Sequence, residues 1–172
     1  MPDERTIIDR LKREVNAARG LRAALLLAAA CALSLPPAAS AEGSRWAVAV
    51  MPKGEEFSLE VAADDAARAR GYMFREEVGG REGMIFVFDT MERHPFWMKN
   101  CRVRLDIIWL DALFRVVEIA HDLVPCPEQG DCPSVIPKEP ARYVLEVAGG
   151  TARKLGLKRN DPIVVLAEPK LP

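Results

Sequence analysis

Period-two alternation runs through residues 45–51 (Arg-Trp-Ala-Val-Ala-Val-Met) and 57–62 (Phe-Ser-Leu-Glu-Val-Ala), with Phe57, Leu59 and Val61 on one face. That period marks half-buried strands, and Pro52-Lys53-Gly54 between them is turn chemistry, so the two segments predict a hairpin. Asp64 is placed to cap a short helix through Ala69 that stops at Gly71. A glycine-punctuated loop follows, from Gly79-Gly80 to Gly83. Met84 to Phe88, Phe96-Trp97-Met98, Ile107 to Leu110 and Phe114 to Ile119 are short apolar runs rich in aromatic and β-branched residues, which predicts four more strands. Residues 122–140 carry five prolines (Pro125, Pro127, Pro133, Pro137, Pro140), which remove ladder donors and predict a long irregular loop. Tyr143 to Val147 resumes a strand, Thr151 is expected to cap a second helix ending at Gly156, and Ile163 to Leu166 forms the last strand. Some eight short strands and two small helices predict a mainly β single domain, a sandwich or barrel-like fold.

The longest apolar run lies near the N-terminus and does not fit that fold. Ala23 to Leu35 is an uncharged stretch of 13 residues, preceded by Arg10, Lys12, Arg13, Arg19 and Arg22 and followed by Pro36-Pro37 and Ala39-Ser40-Ala41. It is shorter than the roughly 20 residues a permanent span requires. Basic, then apolar, then small is the order of a secretory signal peptide, with cleavage expected between Ala41 and Glu42. A lipoprotein cut before Cys31 is the minor alternative. The predicted mature domain, 42–172, has 131 residues, carries 18 basic against 21 acidic side chains, and can bury one core.

Composition excludes some partners. The whole chain of 172 residues is 49% hydrophobic with 24 Lys+Arg against 25 Asp+Glu. It is too apolar for disorder and has no general electrostatic grip on nucleic acid.

Arg68-Ala69-Arg70-Gly71-Tyr72-Met73-Phe74-Arg75, Gly83 to Phe88, Phe96-Trp97-Met98-Lys99-Asn100 and Leu105-Asp106-Ile107 together resemble the bacterial and archaeal domain of unknown function 192 family. The likeness continues through Pro125-Cys126, Cys132-Pro133 and Arg142 to Glu146 and covers nearly all of the predicted mature chain. The resemblance implies a small jelly-roll-like β fold and no established activity. Two positions depart from it: Cys101 stands where members usually carry Thr, and Asn160-Asp161 where they usually carry Gly-Asp. Asn accepts the left-handed turn that Gly would adopt.

Cys126 and Cys132 share the Pro-rich loop, and an oxidising compartment favours their pairing, leaving Cys101 free. Closing so short a loop constrains the unfolded chain by about 2–2.5 kcal/mol, so the bond would serve mainly to shape the loop. The alternative is a zinc site from Cys101, His121, Cys126 and Cys132. Met73, Met84 and Met98 with His94 would suit Cu(I), although methionine more commonly fills core gaps.

Trp97, Lys99 and Asn100, with Arg75 and Asp106, form the candidate binding site. Alternate residues of a strand share a face, and an indole beside polar donors suits stacking against a sugar, peptide or other small molecule. The competing reading has Phe96 and Met98 in the core, Trp97 packed under the Pro-rich loop, and a Lys99-Asn100 turn held by Asp106. Lys99 and Asp106 as base and orienter, or a free Cys101 beside a histidine, would be needed for an enzyme. There is no Gly-x-Ser-x-Gly elbow, Walker loop, His-Glu-x-x-His or dinucleotide fingerprint, and no cofactor is expected. The expectation is an exported, periplasmic binding or accessory protein. A small envelope enzyme and a copper or zinc handler are the alternatives.

Overall fold

The computed structural model describes residues 46–127, 129–167 and 171, so the expected leader over 1–41 lies outside the described residues. The described residues form seven strands and two short helices: β1 (Trp46–Val50), β2 (Glu56–Ala62), α1 (Asp65–Arg70), β3 (Glu82–Glu92), β4 (Leu105–Leu110), β5 (Val116–Leu123), β6 (Ala141–Ala148), α2 (Thr151–Leu155) and β7 (Val164–Ala167). The strands form one sheet in the order β5-β4-β6-β3-β2-β1-β7. β2 and β3 pair in parallel, which requires a crossover, and α1 with the glycine-rich loop provides it. Every other neighbouring pair is antiparallel.

Alternation along the central strands sends apolar side chains to both faces. Ile85, Val87, Ile108, Leu110, Leu145 and Val147 enter one cluster, completed by Ala152 and Leu157 around α2. Met84, Phe86, Ile107, Trp109 and Val144 enter the other, with Tyr72, Met98 and Cys101. Backbone hydrogen bonds link 114–116 to 160–163, and Arg115 and Pro162 form an isolated bridge. The ends of the sheet therefore curl toward each other without a continuous ladder, and the barrel alternative gives way to an open, sandwich-like arrangement. Gly83 is required where β3 meets β6, because a Cβ there would lie 2.6 Å from the Glu146 carbonyl oxygen.

Three local expectations are corrected. Phe96 to Met98 is not a strand: Pro95 removes a donor, Asn100 turns the chain at φ 57°, and only a bridge from Phe96 to Val135 remains. β5 starts at Val116 because Asp111 Oδ1 accepts the Leu113 and Arg115 amides and holds a turn before it. Thr151 does not cap α2, since Gly150 occupies the cap position and its side-chain partner comes from β4. Asp106 Oδ1 accepts from Gly150 N at 3.0 Å, and Oδ2 accepts from Ala152 N at 2.6 Å.

Other local readings hold. Asp64 Oδ1 accepts the Ala67 amide at 2.8 Å and starts α1, Gly71 ends it at φ 45°, and Asn160 adopts the left-handed turn at φ 69°. Cys126 and Cys132 are bonded, with Cα atoms 5.5 Å apart, and Cys101 is a buried free thiol. Among the three cysteines of residues 42–172, alkylation of unreduced protein after denaturation is therefore expected to label Cys101 alone by peptide mapping. Labelling of Cys126 and Cys132 would contradict the pairing.

Candidate functional site

The face of the sheet carrying Phe86 and Trp109 is covered by the segment after α1, by residues 94–101 and by part of the Pro-rich loop. Phe96 anchors this cover. Its ring stands edge-on to Phe86 at 4.8 Å and to Trp109 at 6.0 Å between centroids. Its amide and carbonyl bond to Val135 at 2.9 and 2.7 Å, which joins the segment to the Pro-rich loop. Trp109 Nε1 donates to the His94 carbonyl at 3.0 Å, and the Cys101 and Cys126 amides both donate to the Met98 carbonyl. These bonds fix the loop without a strand ladder.

The cover does not fill the face completely. A cavity of about 380 Å³ remains, walled by Tyr72, Phe86, Phe88, Phe96 and Trp97, with Cys101 and Glu146 beneath and Arg68 and Arg70 among its lining residues. Glu146 is 4% exposed and its Oε2 has no hydrogen-bond partner among the described residues. It belongs to the central strand β6, opposite Met84 on one side and Ile107 on the other. With apolar neighbours in both directions, burial pushes its carboxyl up to about 8, only partly opposed by the Arg75 charge. Gly71 keeps the approach open: a Cβ there would come within 3.6 Å of Glu146 Oε2 and 3.2 Å of Phe86 Cζ. Burial likewise pushes the Cys101 thiol up to about 11, reinforced by Glu146, so it is held as a neutral thiol.

Of the residues singled out from the sequence, Trp97 lines the cavity and is 45% exposed. Lys99 Nζ lies 5.3 Å from the centre of its ring, so these two do project together, although through a cation–π contact in a loop rather than along a strand. Arg75 stands one step behind the wall, its guanidinium 4.8 Å over the Tyr72 ring and bound to both Glu60 oxygens at 2.5 and 2.6 Å. This pairing raises Arg75 and lowers Glu60 from their ordinary values. Asn100 makes the turn, accepting the Phe74 amide at 2.8 Å on its carbonyl. Phe74 is left-handed as well, at φ 65°, a strained position for a bulky residue that sits exposed beside this turn.

Asp106 is not brought to the cavity. It is 0% exposed and binds the Asp122, Gly150 and Ala152 amides, so it neither holds the Lys99-Asn100 turn nor orients Lys99. The sequence reading missed Glu146, Tyr72, Gly71 and the two phenylalanines of β3. One signal for Glu146 was present: a lone carboxylate inside the apolar run Tyr143 to Val147.

The zinc alternative finds no converging ligands among the described residues. Cys126 and Cys132 are bonded to each other, and no group of three or more His, Cys, Asp and Glu able to hold a metal occurs among the described residues. Met84 and Met98 are core residues, Met73 Sδ receives Asn100 Nδ2 at 3.8 Å, and His94 stacks on Phe88 at 3.6 Å. No helix among the described residues is long and apolar enough to cross a membrane.

The DUF192 family model, described as "Uncharacterized ACR", matches residues 48–165. Among solved structures, one from Novosphingobium aromaticivorans DSM 12444, a protein of unknown function, is 36% identical with a TM-score of 0.62, over 69% of this chain and 83% of that one. Another, from Sinorhizobium meliloti 1021 and described as a candidate transcription regulator, is 25% identical with a TM-score of 0.64, over 74% of this chain and 98% of that one. No curated protein matches the chain.

Proposed function

The chain belongs to the DUF192 family, and from that premise we propose that it is an exported protein of the cell envelope that binds a small molecule in the cavity beside Trp97. The observation that carries this reading is a buried carboxyl oxygen without a partner, facing an aromatic-walled space of about 380 Å³. Buried polar atoms are normally satisfied, and small-ligand sites are apolar clefts with a few convergent polar groups. Export is supported by the basic, apolar and small-residue order of residues 10–41 and by the Cys126–Cys132 bond. A hydrolytic or transfer role finds less support, because the one free thiol at the cavity is held protonated and is a poor nucleophile.

The test uses protein recovered from a periplasmic extract of its own host. Intact mass should show a chain beginning at Glu42, and native mass spectrometry should show an additional small-molecule mass. Trp97→Ala should lose that mass while the melting temperature stays within a few degrees, since the side chain is 45% exposed. Were Trp97 instead a core residue, truncation would cost roughly 3–5 kcal/mol. A full-length cytosolic chain overturns export. Ligand-free wild-type protein, or a large stability loss in the variant, overturns the site.

A further inference from the structure

The charges around the cavity differ between floor and mouth. At the floor, Glu146 offers an oxygen with no partner, and ionising it there is costly unless a cation arrives to pair with it. The groups facing it do not supply that cation. Arg75 is spent on Glu60, while Tyr72 and Cys101 are driven upward by burial and held neutral. Among the lining cations, Arg68 binds the Ala63 and Val87 carbonyls and pairs with Asp65. Arg70 is exposed, and its guanidinium has no hydrogen bond or ion pair among the described residues, acting on Glu60 only through its charge. Lys99 adds a second exposed cation over Trp97. A simple organic cation would be repelled at this mouth, and a simple anion would leave the floor oxygen unmatched.

Resting on the cavity being a binding site, we propose that its ligand is an amino-acid-sized zwitterion: the ammonium pairs with the Glu146 carboxylate, the anionic group stays at the mouth with Arg70, and an apolar body lies against Tyr72, Phe86 and Phe96. Aromatic faces beside the floor favour the ammonium, and the volume is near the lower end of small-molecule sites. On binding at neutral pH, the proton held by Glu146 passes to solvent as the ammonium takes its place. The carboxylate of the ligand meets the guanidinium of Arg70 in water-exposed surroundings, where it contributes selectivity more than affinity.

Three probes with one phenyl body separate the parts: L-phenylalanine, phenethylamine and 3-phenylpropanoate, titrated calorimetrically into the disulfide-intact mature chain at pH 7. L-phenylalanine should bind at least about tenfold more tightly than either of the others. Titration in buffers of different ionisation enthalpy should show close to one proton released per ligand. Glu146→Gln should lose about tenfold in affinity together with the proton release, and Arg70→Gln should narrow the preference over the amine, weakening L-phenylalanine by only about two- to fivefold while the amine, no longer repelled, binds more tightly. The same ligand should slow methyl methanethiosulfonate modification of Cys101. Equal binding of the amine or the acid, binding without proton release, or unchanged affinity in Glu146→Gln overturns the zwitterion and leaves the cavity as a site for another ligand. Failure of all three probes overturns it too; only if host-derived protein is also ligand-free does the binding-site reading fall with it.

Discussion

Asp106→Ala is expected to destabilise the protein by about 3–5 kcal/mol in urea denaturation, the largest loss of any single substitution considered. The Asp106 carboxylate is fully buried and accepts the amides of Asp122 at 2.6 Å, Gly150 at 3.0 Å and Ala152 at 2.6 Å. Truncation leaves three donors without their acceptor and uncouples the start of α2 from β4 and β5. Asp106→Asn keeps one acceptor oxygen but turns an amide group toward a donor, so about 1–3 kcal/mol should be lost. Since Asp106 sits on the face of the sheet away from the cavity, Cys101 should react with thiol reagents at the wild-type rate in whatever fraction remains folded. A cost below about 1 kcal/mol for the alanine variant would show that water satisfies these amides instead.

The second large effect is a pH dependence centred on Glu146. Its carboxyl lies near 8 in the folded chain against an ordinary 4.5. Between those values the folded state holds a proton that the unfolded chain has released, so stability falls as pH rises, by about 1.4 kcal/mol per pH unit from this group. The loss levels off above pH 8. Cys101 titrates higher, near 11, and Glu60 and Asp122 are lowered by their arginines, so all three act outside this window. Glu146→Gln should match the wild type near pH 5, remove this slope and be the more stable protein at pH 9. Parallel profiles of the two proteins would show that the carboxyl is already ionised or water-linked at neutral pH.

Legibility of the fold followed the range of the interactions involved. The hairpin of β1 and β2, the Asp64 cap, the Gly71 stop and the Asn160 turn are set by residues within a few positions of one another, and local chemistry was enough to read them. The pairing of Cys126 with Cys132 is local in the same sense. By contrast, the Phe96 to Met98 run has the composition of a strand, yet its conformation is settled by a turn at Asn100 and by Val135 from a distant loop. Composition reports which side chains can pack in a sheet. It does not report whether a neighbouring strand offers a ladder.

The candidate site divides the same way. The sequence by itself determined the family, the mainly β class, and the clustering of Trp97, Lys99 and Asn100 in one short segment. Only the tertiary structure separated the two buried carboxylates. Asp106 and Glu146 each interrupt an apolar strand, and nothing in the two strings distinguishes a cap from a cavity floor. Pairing of Asp106 with Val147 and of Ile107 with Glu146 places them on opposite faces of adjacent strands. On one face three backbone amides converge, whereas on the other aromatic rings leave a space. Their different roles follow from what lies across the sheet, which depends on contacts distant in sequence, 16, 44 and 46 residues for the three amides at Asp106.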